Sequence, residues 1–578
     1  MHSEGKTRLI VYQILVRHLG NDRLHTVAGG NHSVNGCGTV KKLDFKAIEA
    51  LQKNGFSAIW LTGLIRHATQ SDSHFSGFKK SHPSVVKGLA GSPYAVSDYF
   101  ETDPDLYENP EKRWEELSDC LNRIHKSGMK AIVDFIPNHT AREYESLHAR
   151  EIGLRDLGQN DNTELEFSPD NHFYYLPNQP FTSPQNIADE DGNLYQEFPA
   201  KATGNDCFQA SPSIYDWYET VKLNYGIDFR NGQKHFDPAP PVWNYMKEVL
   251  LFWASKGFDG FRCDMAEMVP VEFWKWVIPQ IKEPFPHLFF IAEVYEPHRY
   301  PEFIEAGFDY LYDKVGMYDV LRELVEGKGN CDKLTSIWQA QEGFGDRMLR
   351  FLENHDEQRI ASDLVGKNAF HALPAMAITA FFGKGPVMVY AGQELGEKAK
   401  GAEGYSGDDG KTSIFDYGIV PSLQKWYNNG SWNDGKLSED QKKLQASYAG
   451  ILNMAANSKA ITEGGFFDLQ YANPESEFYP KSRCYAFLRH SAEDRILVLA
   501  SFMDTKHLLR LIIPKEAWTA MNCNHNGIAR LVPILENSDA IEFYTESSYD
   551  ADGGTPGIAI RMEAWSFRVF QIVQKNTN

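Results

Sequence analysis

The chain has 578 residues with 58 basic and 78 acidic side chains, a formal net charge of −20; its basic clusters are no larger than pairs such as Lys41-Lys42 and Lys79-Lys80, which argues against nucleic-acid binding. A hydrophobic content of 42% is ample for a packed core and excludes dominant disorder, and no apolar run approaches the roughly 20 residues of a bilayer span. The seven cysteines are scattered without CxxC pairs, which favours free thiols over a disulfide framework or a zinc site; with no signal-peptide pattern in Met1 to Lys6, the expectation is a cytoplasmic protein, or an exported one whose signal peptide has been removed.

In chain order, short β-branched or aromatic runs alternate with longer amphipathic stretches, the pattern of parallel βα units. The predicted strands are Leu9 to Val16, Ala58 to Thr62, Ala131 to Phe135, Gly260 to Cys263, Phe289 to Val294, Tyr310 to Tyr312, Arg350 to Glu353 and Val387 to Tyr390. Helices lie between most of them. From Pro110 to Lys126, proline stands at the first position, Trp114, Leu117, Leu121 and Ile124 recur at helical spacing, and Gly128 ends the run. Eight such units predict an α/β fold, a (β/α)8 TIM barrel whose chemistry sits at the C-terminal strand ends. The Asn-, Asp-, Pro- and aromatic-rich stretch from Thr140 to Pro241 is too long for an ordinary loop and predicts a small inserted domain. After Ser458 the helical pattern gives way to runs such as Arg483 to Arg489, Arg495 to Phe502 and Ala564 to Val573, a terminal all-β module. The predicted organisation is a barrel from 1–139 and 242–457, an insertion at 140–241 and a β module at 458–578.

Several predicted strands end in ionisable residues: Asp134 with Asn138 and His139, Arg262 with Asp264, Glu293, and His355 with Asp356. If the barrel closes, these ends converge, and a shared pocket of carboxyl groups beside an arginine is costly without a chemical purpose. Paired carboxylates suit glycoside chemistry. One ionised group attacks or stabilises the anomeric carbon while a second, held protonated, delivers its proton to the leaving oxygen.

Four short motifs stand on those strand ends: DFIPNH (Asp134 to His139), GFRCD (Gly260 to Asp264), IAEV (Ile291 to Val294) and ENHD (Glu353 to Asp356). In this combination the sequence resembles glycoside hydrolase family 13, the α-amylase family. Carried over position by position, the resemblance implies Asp264 as nucleophile, Glu293 as general acid/base and Asp356 as the carboxylate stabilising the transition state. It implies Arg262 as the group that orients and ionises Asp264, His139 and His355 as ligands of the sugar in subsite −1, and Tyr94 in SPYAVSDY as the tyrosine stacking on that sugar, with Asp98 supporting the same loop. The family's architecture matches both departures from a plain barrel, because its members carry an inserted domain B after the third strand and a C-terminal β-sandwich. VKLN (Val221 to Asn224) resembles the fifth region of cyclomaltodextrinases and neopullulanases, and VMVYAGQELG (Val387 to Gly396) resembles the eighth-strand segment.

Departures from the family pattern sharpen the expectation. Many members hold a structural calcium with the asparagine of the first motif and a histidine four residues after the nucleophile; here Asn138 is kept but Met268 stands at the second position, a poor ligand for a hard cation. No cofactor is expected, and no metal ligand is assigned. Glu267 replaces a lysine of the acceptor subsites, and Gly91 replaces an aspartate frequent in exo-acting members. The aromatics Phe173 to Tyr175, Phe181, Trp217 and Tyr218 serve either the insertion's core or as sugar platforms, and the Gly- and Asp-rich loop from Ala402 to Tyr417 follows the eighth strand, where it could cover the cleft. The implied function is a retaining α-glycosidase acting on starch-like oligosaccharides, of α-amylase, cyclomaltodextrinase or neopullulanase type, with an oligosaccharide or α-glucan as its partner. Alternatives are a glucan transglycosylase or trehalose- or maltose-converting enzyme on the same site, a non-catalytic relative binding sugar or protein, and a metallohydrolase using the same residues as ligands.

Overall fold

The computed structural model describes residues 8–72, 79–401, 407–550 and 556–574. Its centre is a parallel sheet of β1 (Ile10–Leu15), β2 (Ala58–Thr62), β3 (Lys130–Phe135), β4 (Gly260–Cys263), β5 (Phe289–Ala292), β6 (Tyr310–Tyr312), β7 (Met348–Leu349) and β8 (Val387–Tyr390). These bond in the order β7-β6-β5-β4-β3-β2-β1-β8, and a parallel bridge between Arg350 and Val387 joins the two ends into a barrel. The sequence AIWLT of β2 is buried throughout, because a parallel strand is covered on both faces. Alternation then sorts the side chains. Val11, Ala58, Trp60, Ile132, Ile291, Leu349 and Met388 fill the lumen, while Tyr12, Ile59, Leu61, Val133 and Phe290 pack outward with the helices.

The helix expected from Pro110 begins as a 3-10 turn, Pro110–Lys112, and becomes α-helical over Arg113–Lys126. The seventh strand is displaced from its predicted span. The backbone leaves the ladder after the bridge at Arg350, and Glu353, predicted as its last residue, instead holds Arg359 at 3.0 Å and the Ile360 N–H at 2.7 Å.

Between β3 and the helix Pro241–Ser255 the chain forms short antiparallel pairs, His139–Ala141 with Thr220–Lys222 and Tyr175–Leu176 with Ala200–Lys201. The first pair brings the chain back beside the point where it left the barrel, so residues near 220 stand next to the end of β3. Beyond the barrel, β9 (Gly465–Asp468), β10 (Cys484–His490), β11 (Arg495–Ser501), β12 (His507–Leu511), β13 (Ile528–Pro533), β14 (Ile541–Tyr544), β15 (Ile558–Met562) and β16 (Ser566–Gln574) follow. They build an antiparallel sheet ordered β9-β10-β11-β16-β13-β14 and a separate pair β12-β15. On β10, Cys484, Ala486 and Leu488 share a core with Leu509, Leu511, Ile558 and Ile560 of the pair, whereas Tyr485 and Phe487 join the core of the barrel. Period-two alternation thus makes one sheet serve two cores.

Gly91 opens the turn that carries Tyr94. Its φ is +77°, and a Cβ there would lie 1.8 Å from the Ala68 carbonyl oxygen, so no larger residue fits without moving the turn. Gly91→Ala is expected to lower stability by about 2 kcal/mol or more, read from the urea midpoint; an unchanged midpoint would contradict this packing.

Candidate active site

Arg262 is the central group of the barrel mouth. It projects from β4 with no solvent exposure, and the Trp60, Tyr94 and Tyr312 rings surround it at 5.3, 5.5 and 5.4 Å. Its Nη1 stands 2.6 Å from Asp264 Oδ1 and its Nη2 2.6 Å from Glu293 Oε1, while Nε donates to the Tyr312 hydroxyl at 3.1 Å. Asp134 is farther, at 3.6 Å from Nη1, and takes the Trp60 indole N–H at 3.0 Å. Next to Asp264, Met265 adopts the left-handed backbone conformation at φ +42°, an uncommon state for a non-glycine residue. In that state its N–H donates to Glu293 Oε2 at 2.7 Å, tying the end of β4 to the end of β5.

A cavity of about 290 Å³ opens over these groups, lined by Asp264, Glu293 and Asp356 together with Tyr94, His139 and Trp217. Arg262 and His355 stand behind this lining. The Tyr94 ring lies on His355 at 4.9 Å and 17°, and His355 is 3.1 Å from Asp356 through Nε2 and 2.8 Å from the Gln13 side chain through Nδ1. Thus all seven sequence candidates come together, five facing the cavity and two supporting it. Asp98 accepts from the Phe100 N–H at 2.9 Å and lines a different groove.

Electrostatics follow from burial. Desolvation raises the proton affinity of Asp264 and Asp356, with Arg262 opposing in both, and pushes Asp134 up to about 7. Burial brings His139 and His355 down to about 3, so both present neutral imidazoles to the site. Three carboxyl groups, Asp134, Asp264 and Glu293, thus share the charge of one buried guanidinium.

Sequence reasoning missed Tyr295 and Lys87, both in the cavity lining. The Tyr295 hydroxyl donates to Glu293 Oε1 at 2.6 Å, and Glu267, which stands where the family has lysine, accepts the Tyr295 N–H at 2.8 Å and thereby holds the loop after β5. Lys87 pairs with Glu219, another lining residue, at 3.1 Å. Position two residues after Glu293 was the only sequence signal available for Tyr295. Of the insertion's aromatics, Phe173, Tyr174, Tyr175, Phe181 and Tyr218 are buried; Trp217 is half-buried and reaches the cavity beside His139 at 5.2 Å. Ile414 and Phe415 bring the loop after β8 over the cleft, and Lys411 from that loop donates to the Asp356 carbonyl at 2.6 Å; Ala402 to Ser406 lie outside the described residues.

The calcium position of the family has a specific occupant. Lys222, delivered by the strand pair beside β3, places Nζ 2.5 Å from Asn138 Oδ1, 2.7 Å from Asp206 Oδ1 and 3.4 Å from the Met268 carbonyl. An amide oxygen, a carboxylate and a carbonyl would suit a hard cation, but the ammonium is already that cation. These residues do not fit a calcium ion.

Fold and cavity together define a glycoside hydrolase of the (β/α)8 type. Residues 33–290 match the family model for the α-amylase catalytic domain, and over that stretch the chain resembles the α-amylase family, glycoside hydrolase family 13. Among curated relatives it is 20% identical to alpha-amylase 2 of Dictyoglomus thermophilum over 508 residues, 87% of this chain and 70% of that one. It is 22% identical to a cyclomaltodextrinase of a Bacillus species over 74% of this chain and 63% of the relative. A shorter stretch, 40% of this chain and 27% of the relative, is 25% identical to the human amino acid transporter heavy chain SLC3A1. Among solved structures, the fold matches an alpha-amylase from Geobacillus thermoleovorans in complex with acarbose (TM-score 0.62, 18% identity, 98% and 99% of the two chains). It also matches a noncanonic maltogenic alpha-amylase from Thermotoga neapolitana (TM-score 0.60, 20% identity, 98% of each chain). The chain is a glycoside hydrolase similar to amylases and cyclomaltodextrinases. Among the described residues no helix is long and apolar enough to cross a membrane.

Tyr295→Phe removes a hydrogen bond to Glu293 without opening a cavity. It is expected to lower kcat about tenfold and leave KM within about twofold, measured as initial rates on maltoheptaose; unchanged kcat would detach Tyr295 from the reaction.

Proposed function

We propose that the protein is a retaining α-glycosidase of starch-like oligosaccharides in which Asp264 is the nucleophile, Glu293 the general acid/base and Asp356 the stabilising carboxylate. The observation that carries the reading is the binding of Asp264 and Glu293 by neighbouring nitrogens of one buried guanidinium. Arg262 favours the ionised form of Asp264, as attack on the anomeric carbon requires. As the Asp264 oxygen bonds to that carbon, the glycosidic C–O bond breaks and the leaving oxygen takes the proton of Glu293. In the second half, the Glu293 carboxylate removes a proton from water or a sugar hydroxyl as it displaces Asp264. Asp356 faces the positive charge that develops on the ring, Tyr94 offers its ring to the apolar face of the sugar, and the neutral His139 hydrogen-bonds a hydroxyl, with His355 acting through Tyr94 and Asp356. Water as acceptor gives hydrolysis and a sugar gives transfer. The meeting of Asp264, Glu293 and Asp356 in one cavity supports this reading over a purely protein-binding relative, and seven unpaired cysteines support a reducing compartment.

The test is proton NMR of the first-formed reducing end from maltoheptaose. The α-anomer should appear first, and Asp264→Asn, Glu293→Gln and Asp356→Asn should each reduce turnover about a thousandfold or more with the fold intact. First appearance of the β-anomer would overturn the roles.

The same reading needs no calcium, because Lys222 supplies the positive charge between insertion and barrel. EDTA is expected to leave activity and melting temperature unchanged. Lys222→Met should instead cost about 1–3 kcal/mol, since the buried Asn138 oxygen loses its donor; a drop with EDTA that calcium restores would overturn this.

A further inference from the structure

Away from the barrel mouth, a second cavity of about 440 Å³ lies between the outer wall of the barrel at β7 and the terminal sheet. It shares no lining residue with the catalytic cavity, and its size is ordinary for a small-molecule site. Two of its lining residues, Arg350 and Arg489, are each only 2% exposed, and a third arginine, Arg8, is buried nearby at 6%. Arg350 follows β7 and points away from the lumen, since its neighbours Leu349 and Phe351 belong to the lumen cluster. It gives Nε to Asp313 at 3.0 Å and Nη2 to Gln341 Oε1 at 2.8 Å. Its Nη1 has no hydrogen-bond partner among the described residues.

Charge compensation is incomplete. Arg489 donates only to carbonyl oxygens, those of Ala460, Phe382, Ile461 and Gly464, and Arg8 likewise to Gly385, Ala380 and Ala455, leaving its Nη2 unpartnered. Asp313 is committed to Arg350 and Gln341. Asp346, on the exposed rim, is shared with Lys384 at 3.3 Å. Three buried guanidiniums face one buried carboxylate, Asp313, while the other two carboxylates, Asp346 and Glu342, stand on the exposed rim; the positive charge is concentrated in the buried floor, where a low dielectric favours a bound anion. The mouth adds an apolar surface: Trp338, 38% exposed, leans on Phe466 at 5.3 Å, and Phe466 meets Phe382 at 4.9 Å.

We propose that this cavity binds a sugar phosphate, its phosphate against Arg350 and Arg489 and its sugar ring on Trp338. Arginine forks match phosphate oxygens, the indole face matches the apolar face of a pyranose, and both meet in one cavity of the right size. The site is independent of the catalytic reading, and its ligand need not be the substrate.

The test is calorimetric titration of the full chain with inorganic phosphate, glucose 1-phosphate and glucose. Glucose 1-phosphate should bind saturably to the wild type and equally to Asp264→Asn, and more tightly than phosphate; glucose should not bind here. Arg350→Lys should weaken both phosphate ligands about tenfold or more, and Trp338→Ala should weaken glucose 1-phosphate alone by a similar factor while leaving melting temperature and turnover unchanged. If Arg350→Lys does not fold, the rim variant carries the test. Absence of saturable binding, equal affinity for phosphate and glucose 1-phosphate, or binding lost in Asp264→Asn but kept in Trp338→Ala would each overturn the proposal.

Discussion

One buried guanidinium sets the terms for the barrel mouth. Arg262 is inaccessible to solvent and bonds two carboxyl groups and a tyrosine hydroxyl, so its full charge is spent inside the protein. In a low-dielectric interior such a charge is tolerable only when its partners are fixed in place, and those partners come from different strands. β4 supplies the arginine and Asp264, β5 leads to Glu293, and β6 supplies Tyr312. The parallel register that aligns Arg262 with Ile291 and with Asp134 is therefore also what brings the carboxyl groups within reach of one another. A shift of one residue on any of these strands would turn the paired side chains to the opposite face.

Around this centre the structure uses backbone and loop geometry to complete the pocket. Met265 holds an uncommon conformation so that its N–H reaches Glu293. The insertion is fastened to the barrel by the pairing of His139–Ala141 with Thr220–Lys222, which sets His139 and Trp217 on one wall and drives Lys222 into the seam. An internal ammonium between Asn138 and Asp206 joins the two parts. On the opposite wall, the loop after β8 contributes Phe415 and reaches Asp356 through Lys411. The terminal sheet takes no part in lining the cavity at the barrel mouth; one of its faces completes the barrel's hydrophobic core, and the buried arginines gather along that seam.

Much of this was legible in the chain. The four motifs marked which residues end which strands, because a side chain that is to face the barrel mouth must sit where a strand stops and its loop begins, and that local arrangement leaves a local trace. The strand spans agreed residue by residue for β2, β4, β6 and β8; β2 and β8, buried on both faces of a parallel sheet, read as continuous apolar runs. β7 slipped because Arg350 and Glu353 read equally well as strand residues; only their long-range partners, Asp313 and Arg359, show where the ladder ends.

Periodicity and short contiguous motifs were enough to give the barrel, its insertion and terminal sheet, and the candidate site residues. The assembled molecule was needed to show that His355 supports Tyr94 from behind, that Trp217 alone of the insertion's aromatics reaches the cavity, that Tyr295 bonds Glu293, and that Lys222 fills the cation position. Each depends on a contact whose geometry no local pattern encodes. Trp217 and Tyr218 are neighbours of like composition, yet one lines the cavity and the other is buried, because the turn closed by the Thr220 N–H on the Trp217 carbonyl sends their side chains to different sides. Lys222 and Asn138 are separated by 84 positions, and the strand pairing that joins them is stabilised by the packing of the whole insertion.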